Sequence, residues 1–195
     1  MNQKFISLKK EISRAAELAE RWMLKHLREE DILDQNPSDP VRYYKWPLAL
    51  VQRGKYEEAQ NIIEWINRQC LTEAGDYESN RSGFHKTFHN YANLWITLAA
   101  NRIGNAKLVE KLLGFMQQYY NKSTGGLATF PAARENITED PVSTAFFGWA
   151  ACETGNRSLA DNIISYFERL LEKNTDQYRF WLRLNAEGDL ITTIP

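Results

Sequence analysis

The stretch Ala99-Ala100-Asn101-Arg102-Ile103-Gly104-Asn105-Ala106-Lys107-Leu108 decides the fold, because its glycine recurs about fifty residues away on either side, as Gly54 and Gly155. Helices that pack alike must place apolar residues at the same offsets from such a marker. Five residues before the glycine stand Ala49, Ala99 and Ala150, and four before it stand Leu50, Ala100 and Ala151, small or aliphatic residues that allow close helix approach. Five after it come Ala59, Val109 and Ala160. Eight and nine after it come Ile62-Ile63, Leu112-Leu113 and Ile163-Ile164, and eleven and twelve after it come Trp65-Ile66, Phe115-Met116 and Tyr166-Phe167. At twenty-one to twenty-three the columns read Gly75-Asp76-Tyr77, Gly125-Gly126-Leu127 and Asp176-Gln177-Tyr178. Three helical hairpins, each turned at its glycine, are the reading that aligns all of these columns.

Outward from the repeat, residues 5–29 carry Leu8, Ile12, Ala15, Ala19, Trp22, Met23 and Leu27 at helical spacing, which predicts a leading amphipathic helix. Repeat 1 spans 40–77, repeat 2 spans 89–127 and repeat 3 spans 141–178, with Pro40 and Pro141 opening helices and Asp39 or Ser38 and Asp140 placed to cap them. Beyond Tyr178 the alternation of Tyr178, Phe180, Leu182 and Leu184 with Arg179, Trp181, Arg183 and Asn185, then Glu187-Gly188-Asp189, predicts a β-hairpin over 178–194. The expected fold is therefore one all-α domain, 1–195, of three hairpins between a leading helix and a terminal β-hairpin. Pro195 falls where a fourth such helix would open, so the array amounts to about half of a closed six-hairpin barrel. Its open edge calls for a second copy or the rest of a longer chain, with a free-standing horseshoe as the alternative.

The chain of 195 residues, 43% hydrophobic and 25% charged, has the composition of an ordinary globular domain. A formal net charge of -1 argues against general nucleic-acid binding, which needs a clustered surplus of Lys and Arg. There is no membrane span, and the charged start Met1 to Lys10 leaves no room for the apolar region of a signal peptide, so a cytoplasmic location is expected. Cys70 and Cys152 form no metal or redox pattern and read as buried free thiols.

The glycine-turned helix pairs, together with Gly125-Gly-Leu-Ala-Thr-Phe-Pro131 and Asp140-Pro-Val-Ser-Thr-Ala145, resemble the α/α-toroid proteins over about residues 39–178. That group includes terpenoid cyclases and protein prenyltransferase β subunits, and more distantly sugar epimerases and glycosidases. The resemblance implies a toroid-like array and an enzyme whose cavity takes a small molecule. The Asp-rich acid motif of the cyclases is represented here only by Asp140, and the zinc-binding Asp, Cys and His of the prenyltransferases have no counterpart.

Equivalent positions at the start of each hairpin mark where a shared site would lie. Fifteen residues before the glycine stand Asp39, His89 and Asp140, and eleven before it stand Tyr43, Asn93 and Thr144. Asp39, His89 and Asp140 are the candidate acids and bases, His89 because imidazole titrates near neutrality. Tyr43, Tyr44, Trp46, His85, Asn93, Ser143 and Thr144 are the candidate substrate contacts. The two aspartates also fit plain capping. His85 and His89 have the spacing of two metal ligands on a helix, with Asp76 or Glu73 of the same loop available as a third, but the pair lacks the glutamate of a zincin and two ligands do not specify zinc, so no metal or cofactor is expected. His26 reads as a boundary residue. Tyr91, Trp95, Phe146, Phe147 and Trp149 join the tyrosines and Trp46 in an aromatic set that suits either a core or a wall for a sugar or carbocation. The leading expectation is acid/base cyclisation, isomerisation or elimination on a small, partly apolar, terpenoid-like substrate. A carbohydrate-active member of the same fold class and a non-enzymatic repeat scaffold are the alternatives.

Overall fold

The structure is a computed structural model that describes residues 3–28, 43–77, 90–129 and 138–192. It is mostly helical, with a small antiparallel sheet of two strands. Helix α1 (Gln3–Arg28) leads into three hairpins: α2 (Trp46–Gln52) with α3 (Tyr56–Gln69), α4 (Tyr91–Arg102) with α5 (Ala106–Met116), and α6 (Pro141–Glu153) with α7 (Arg157–Lys173). The first helices stack in order, α4 packing on α2 at one side and on α6 at the other, while each second helix packs on its own partner.

Each hairpin turns through the same hydrogen bonds. The amide after the glycine reaches back to a carbonyl of the final turn: Lys55 to Leu50 at 2.9 Å, Asn105 to Ala100 at 2.9 Å and Asn156 to Ala151 at 2.8 Å. This closure needs a left-handed residue, and Gly54, Gly104 and Gly155 supply φ of 74°, 80° and 73°. A Cβ on any of these three would meet nothing within 4 Å, so the glycines serve backbone conformation and not space. Asn105 and Asn156 then cap the following helices by accepting from the amides of Leu108 and Leu159.

The core follows the columns. Ala59, Ile62, Ile63 and Ile66 are fully buried in repeat 1, and Leu112 and Met116 in repeat 2. In repeat 3 the pattern lapses, because no further hairpin covers its edge among the described residues: Ile164, in the column of Ile63 and Leu113, is 54% exposed. The column of Tyr77 and Leu127, both buried, ends in Tyr178 at 86% exposure.

The expected hairpin over 178–194 is much reduced. Residues 178–183 form no strand, and the backbone N–H and C=O of Trp181 are taken instead by the side chain of Asn174, at 2.6 and 3.0 Å. What remains is a turn at Gly188, φ 83°, that brings Leu184 opposite Leu190. Strand β2 (Leu184–Asn185) pairs antiparallel with β1 (Thr138–Glu139), Thr138 opposite Asn185 and Glu139 opposite Leu184. Cys70 is buried as expected, but Cys152, on α6, is exposed. No helix among the described residues is long and apolar enough to cross a membrane.

Candidate functional site

Asp39, His85 and His89 lie outside the described residues. Asp140 is described and is 3% exposed. It is the N-cap of α6, its carboxylate accepting from the Ser143 amide at 2.6 Å, with Pro141 following at the position proline tolerates best. The buried column-mates Asn93 and Thr144 do equivalent work in successive repeats. Asn93 Nδ2 donates to the carbonyl of Gly75 at 2.6 Å, and Thr144 Oγ1 accepts from the amide of Leu127 at 2.9 Å. Each ties the first helix of one repeat to the turn that ends the repeat before it. Tyr43, the third member, is buried against Trp46 and Trp65, with ring centroids 5.2 and 5.7 Å away. Tyr44 is buried too, its hydroxyl pushed up to about 12 by burial and by neighbouring Tyr91. Asn93 Oδ1, Asn90 Oδ1 and the Ser143 hydroxyl are buried at these helix starts with no hydrogen-bond partner among the described residues. His26 sits at the boundary, its Nδ1 2.7 Å from the carbonyl of Trp22.

A carboxylate that no repeat column marks lies beside this end of the array. Glu139, in β1, is fully buried. Its Oε1 accepts from Asn121 Nδ2 at 2.8 Å and from the Thr124 hydroxyl, while Oε2 has no partner among the described residues. Burial pushes the carboxyl up to about 7, against the opposing pull of the Thr124 and Asn121 hydrogen bonds and of the Arg169 charge. Arg169 is held over the same turn by donating to the carbonyl of Thr124. The space for Glu139 is left by Gly126, where a Cβ would come within 2.3 Å of Oε2. Tyr166, buried on the other side, has its hydroxyl raised by burial and by the charges of Glu139 and Asp140.

The open surface of the first helices is built from a different stripe. Nine residues before each glycine stand Lys45, Trp95 and Phe146, and two before it stand Gln52, Arg102 and Glu153. Half-buried Tyr91, Trp95 and Phe146 and exposed Trp149 form a continuous row, with centroids 6.1 Å apart for Tyr91–Trp95, 5.0 Å for Trp95–Phe146 and 5.8 Å for Phe146–Trp149. The Lys45 ammonium lies over Tyr44, Tyr91 and Trp95 at 5.5, 5.3 and 5.4 Å. At the far end Arg102 grips Glu153 through two hydrogen bonds of 2.6 and 3.2 Å and lies 5.6 Å over the Trp149 ring. Trp149 Nε1 donates to the same carboxylate at 2.6 Å, so hydrogen bonding holds the Glu153 carboxyl below its usual range and fixes the indole. Of the expected contacts, Trp46 is half-buried, edge-on to Trp22 at 5.5 Å and to Tyr43 at 5.2 Å.

No protein-family model, curated protein or solved structure matches the chain. Among the described residues, no three His, Cys, Asp or Glu side chains gather as a metal site would require. Sequence reasoning passed over Lys45, Arg102 and Glu153, which lie in repeat columns that could have been read, and over Glu139, whose only signal was the second glycine at Gly126.

Proposed function

We propose that the three hairpins form an arc of an α/α-toroid-like array and that the exposed face of their first helices binds carbohydrate. The observation that carries this reading is the row Tyr91, Trp95, Phe146 and Trp149, lined by Lys45 at one end and the Arg102–Glu153 pair at the other. Ring faces suit the C–H face of a sugar, and flanking charged groups suit its hydroxyls, a combination of apolar surface with few polar anchors typical of small-molecule sites. Trp149 is held by its hydrogen bond and by Arg102, so little ordering opposes binding.

A terpenoid-like substrate is less well served. A cyclising carbocation would lie against these rings, and the Lys45 ammonium, 5.3 to 5.5 Å from three of their centroids, would repel it. In the carbohydrate reading the acid and base are Asp39 and His89, because the third member of their column, Asp140, spends its carboxylate on the cap of α6. The chemistry open to such a pair is epimerisation, hydrolysis or elimination on the bound sugar.

Titration of the full chain with a panel of neutral and acidic oligosaccharides, followed by saturation-transfer NMR, tests the reading. Binding should fall about tenfold in Trp149→Ala, the loss expected of one well-placed ring, and turnover should vanish in His89→Ala while binding persists. Failure of every saccharide to bind, or affinity indifferent to Trp149→Ala, would reject it.

A further inference from the structure

Among the described residues, two apolar faces without a partner stand at opposite edges of the array, and they complement each other. The first is the front of α1. Residues 4–15 are exposed on every side, yet Phe5, Leu8 and Ile12 repeat at helical spacing and are 60%, 52% and 61% exposed. Lys9, Lys10 and Arg14 flank them. The rear of the same helix is anchored: Met23, Leu24 and Leu27 pack on the core, and Glu20 bridges Arg53 at 2.7 Å and Lys55 at 3.6 Å. At 1.5 Å per residue the free front projects about 18 Å beyond that anchor.

The second face is the outer edge of α7. Ile164 and Leu171 are 54% and 62% exposed there, with Glu168 and Glu172 exposed beside them. Their column-mates are covered within the array. Ile63 is fully buried and Leu113 partly so, and Cys70, in the column of Leu171, is 2% exposed. In repeat 1 the helix that bears these covered positions, α3, also packs on α4 of the next repeat. The residues 174–192 cover Tyr166 and Leu170 through Leu184 and Leu190, and leave this edge open.

We infer that the front of α1 docks along the edge of α7 in a second copy of this chain, and that the contact is reciprocated in a twofold dimer. One copy supplies an exposed amphipathic helix with basic flanks, the other an exposed apolar edge with acidic flanks. The helix cannot serve its own chain, because α1 is fastened at repeat 1 while α7 lies at the far side of repeat 2. Phe5, Leu8 and Ile12 then cover Ile164 and Leu171, while Lys9, Lys10 and Arg14 meet Glu168 and Glu172. The inference is independent of what the aromatic face binds.

Sedimentation velocity on the full chain across a range of concentrations tests it, with thermal melts to show that the surface variants fold. Wild type should sediment as a dimer. Reversal of α1 by Lys9→Glu, Lys10→Glu and Arg14→Glu, or of α7 by Glu168→Lys and Glu172→Lys, should weaken the dimer by about a hundredfold, as like charges are brought together. An equimolar mixture of the two reversed chains should dimerise again, because both reciprocal contacts are then between opposite charges. A wild type that stays monomeric would overturn the inference, whether or not it binds anionic vesicles. So would a dimer unmoved by the α7 reversals.

Discussion

Replacing Glu139 by glutamine should change how stability depends on pH. The carboxyl has an ordinary value of 4.5 and stands at about 7 in the fold, so between these limits the folded chain keeps a proton that the unfolded chain releases. Stability is then greatest below the unfolded value, falls as pH rises between the two, and levels off above the folded one. With 1.36 kcal/mol for each tenfold in proton affinity, the fall amounts to about 3 kcal/mol, a large share of the roughly 5–15 kcal/mol that holds a domain together. Asp140, Tyr166 and Arg169 share the surroundings, but the comparison with Glu139→Gln isolates the one group, because the amide is nearly isosteric and does not titrate. Urea unfolding of both proteins from about pH 4 to about pH 8 reads the effect directly. The variant should match wild type within a constant offset at the acid end and exceed it by up to about 3 kcal/mol more at the alkaline end. Arg169→Met, which removes the nearby cation, should push the wild-type transition to higher pH. A difference between wild type and Glu139→Gln that does not vary with pH would refute the reasoning.

The turns offer a second test, because glycine serves different purposes at Gly155 and Gly125. Gly155→Ala should cost about 1–2 kcal/mol, the strain of left-handed backbone alone, since nothing crowds the new methyl. Gly125→Ala adds to that strain a methyl 2.3 Å from the backbone oxygen of Asn162, and should lose clearly more in the same denaturant assay. Equal losses would contradict the distinction. A third test concerns the thiols: under native conditions a thiol reagent should label exposed Cys152 and spare Cys70, whose thiol burial pushes up to about 12. Labelling of both at one rate would show that the packing around Cys70 is wrong.

The repeat was legible because glycine at a left-handed turn and apolar residues at fixed offsets leave marks that tertiary packing does not erase. Which stripe of each first helix faces outward was harder to read. The polar column of Asn93 and Thr144 looks from sequence like the rim of a site, but both side chains are inside, tying turns to helices. The outer stripe of exposed Lys45 and half-buried Trp95 and Phe146 is only two positions away, which is about 200° around a helix. Aromatic residues populate cores and open faces alike, so their identity did not say which face was which. Glu139 left a fainter trace. Gly126 lacks the positive φ of Gly125, and its reason for being glycine is the carboxylate beside it. A glycine without a conformational need marks space reserved for a partner, and sequence alone does not name the partner.

The strand pairing of Thr138 with Asn185 bears on the order in which the chain acquires its structure. Each hairpin is closed by contacts between near neighbours in sequence, which cost little loop entropy and form early. The β1–β2 ribbon joins segments separated by the whole of the third hairpin, so its closure costs the most loop entropy unless α6 and α7 are already in place. Glu139 is carried into its dry position on that ribbon. Loop entropy therefore favours late closure of the ribbon that carries Glu139, after the local hairpins around it.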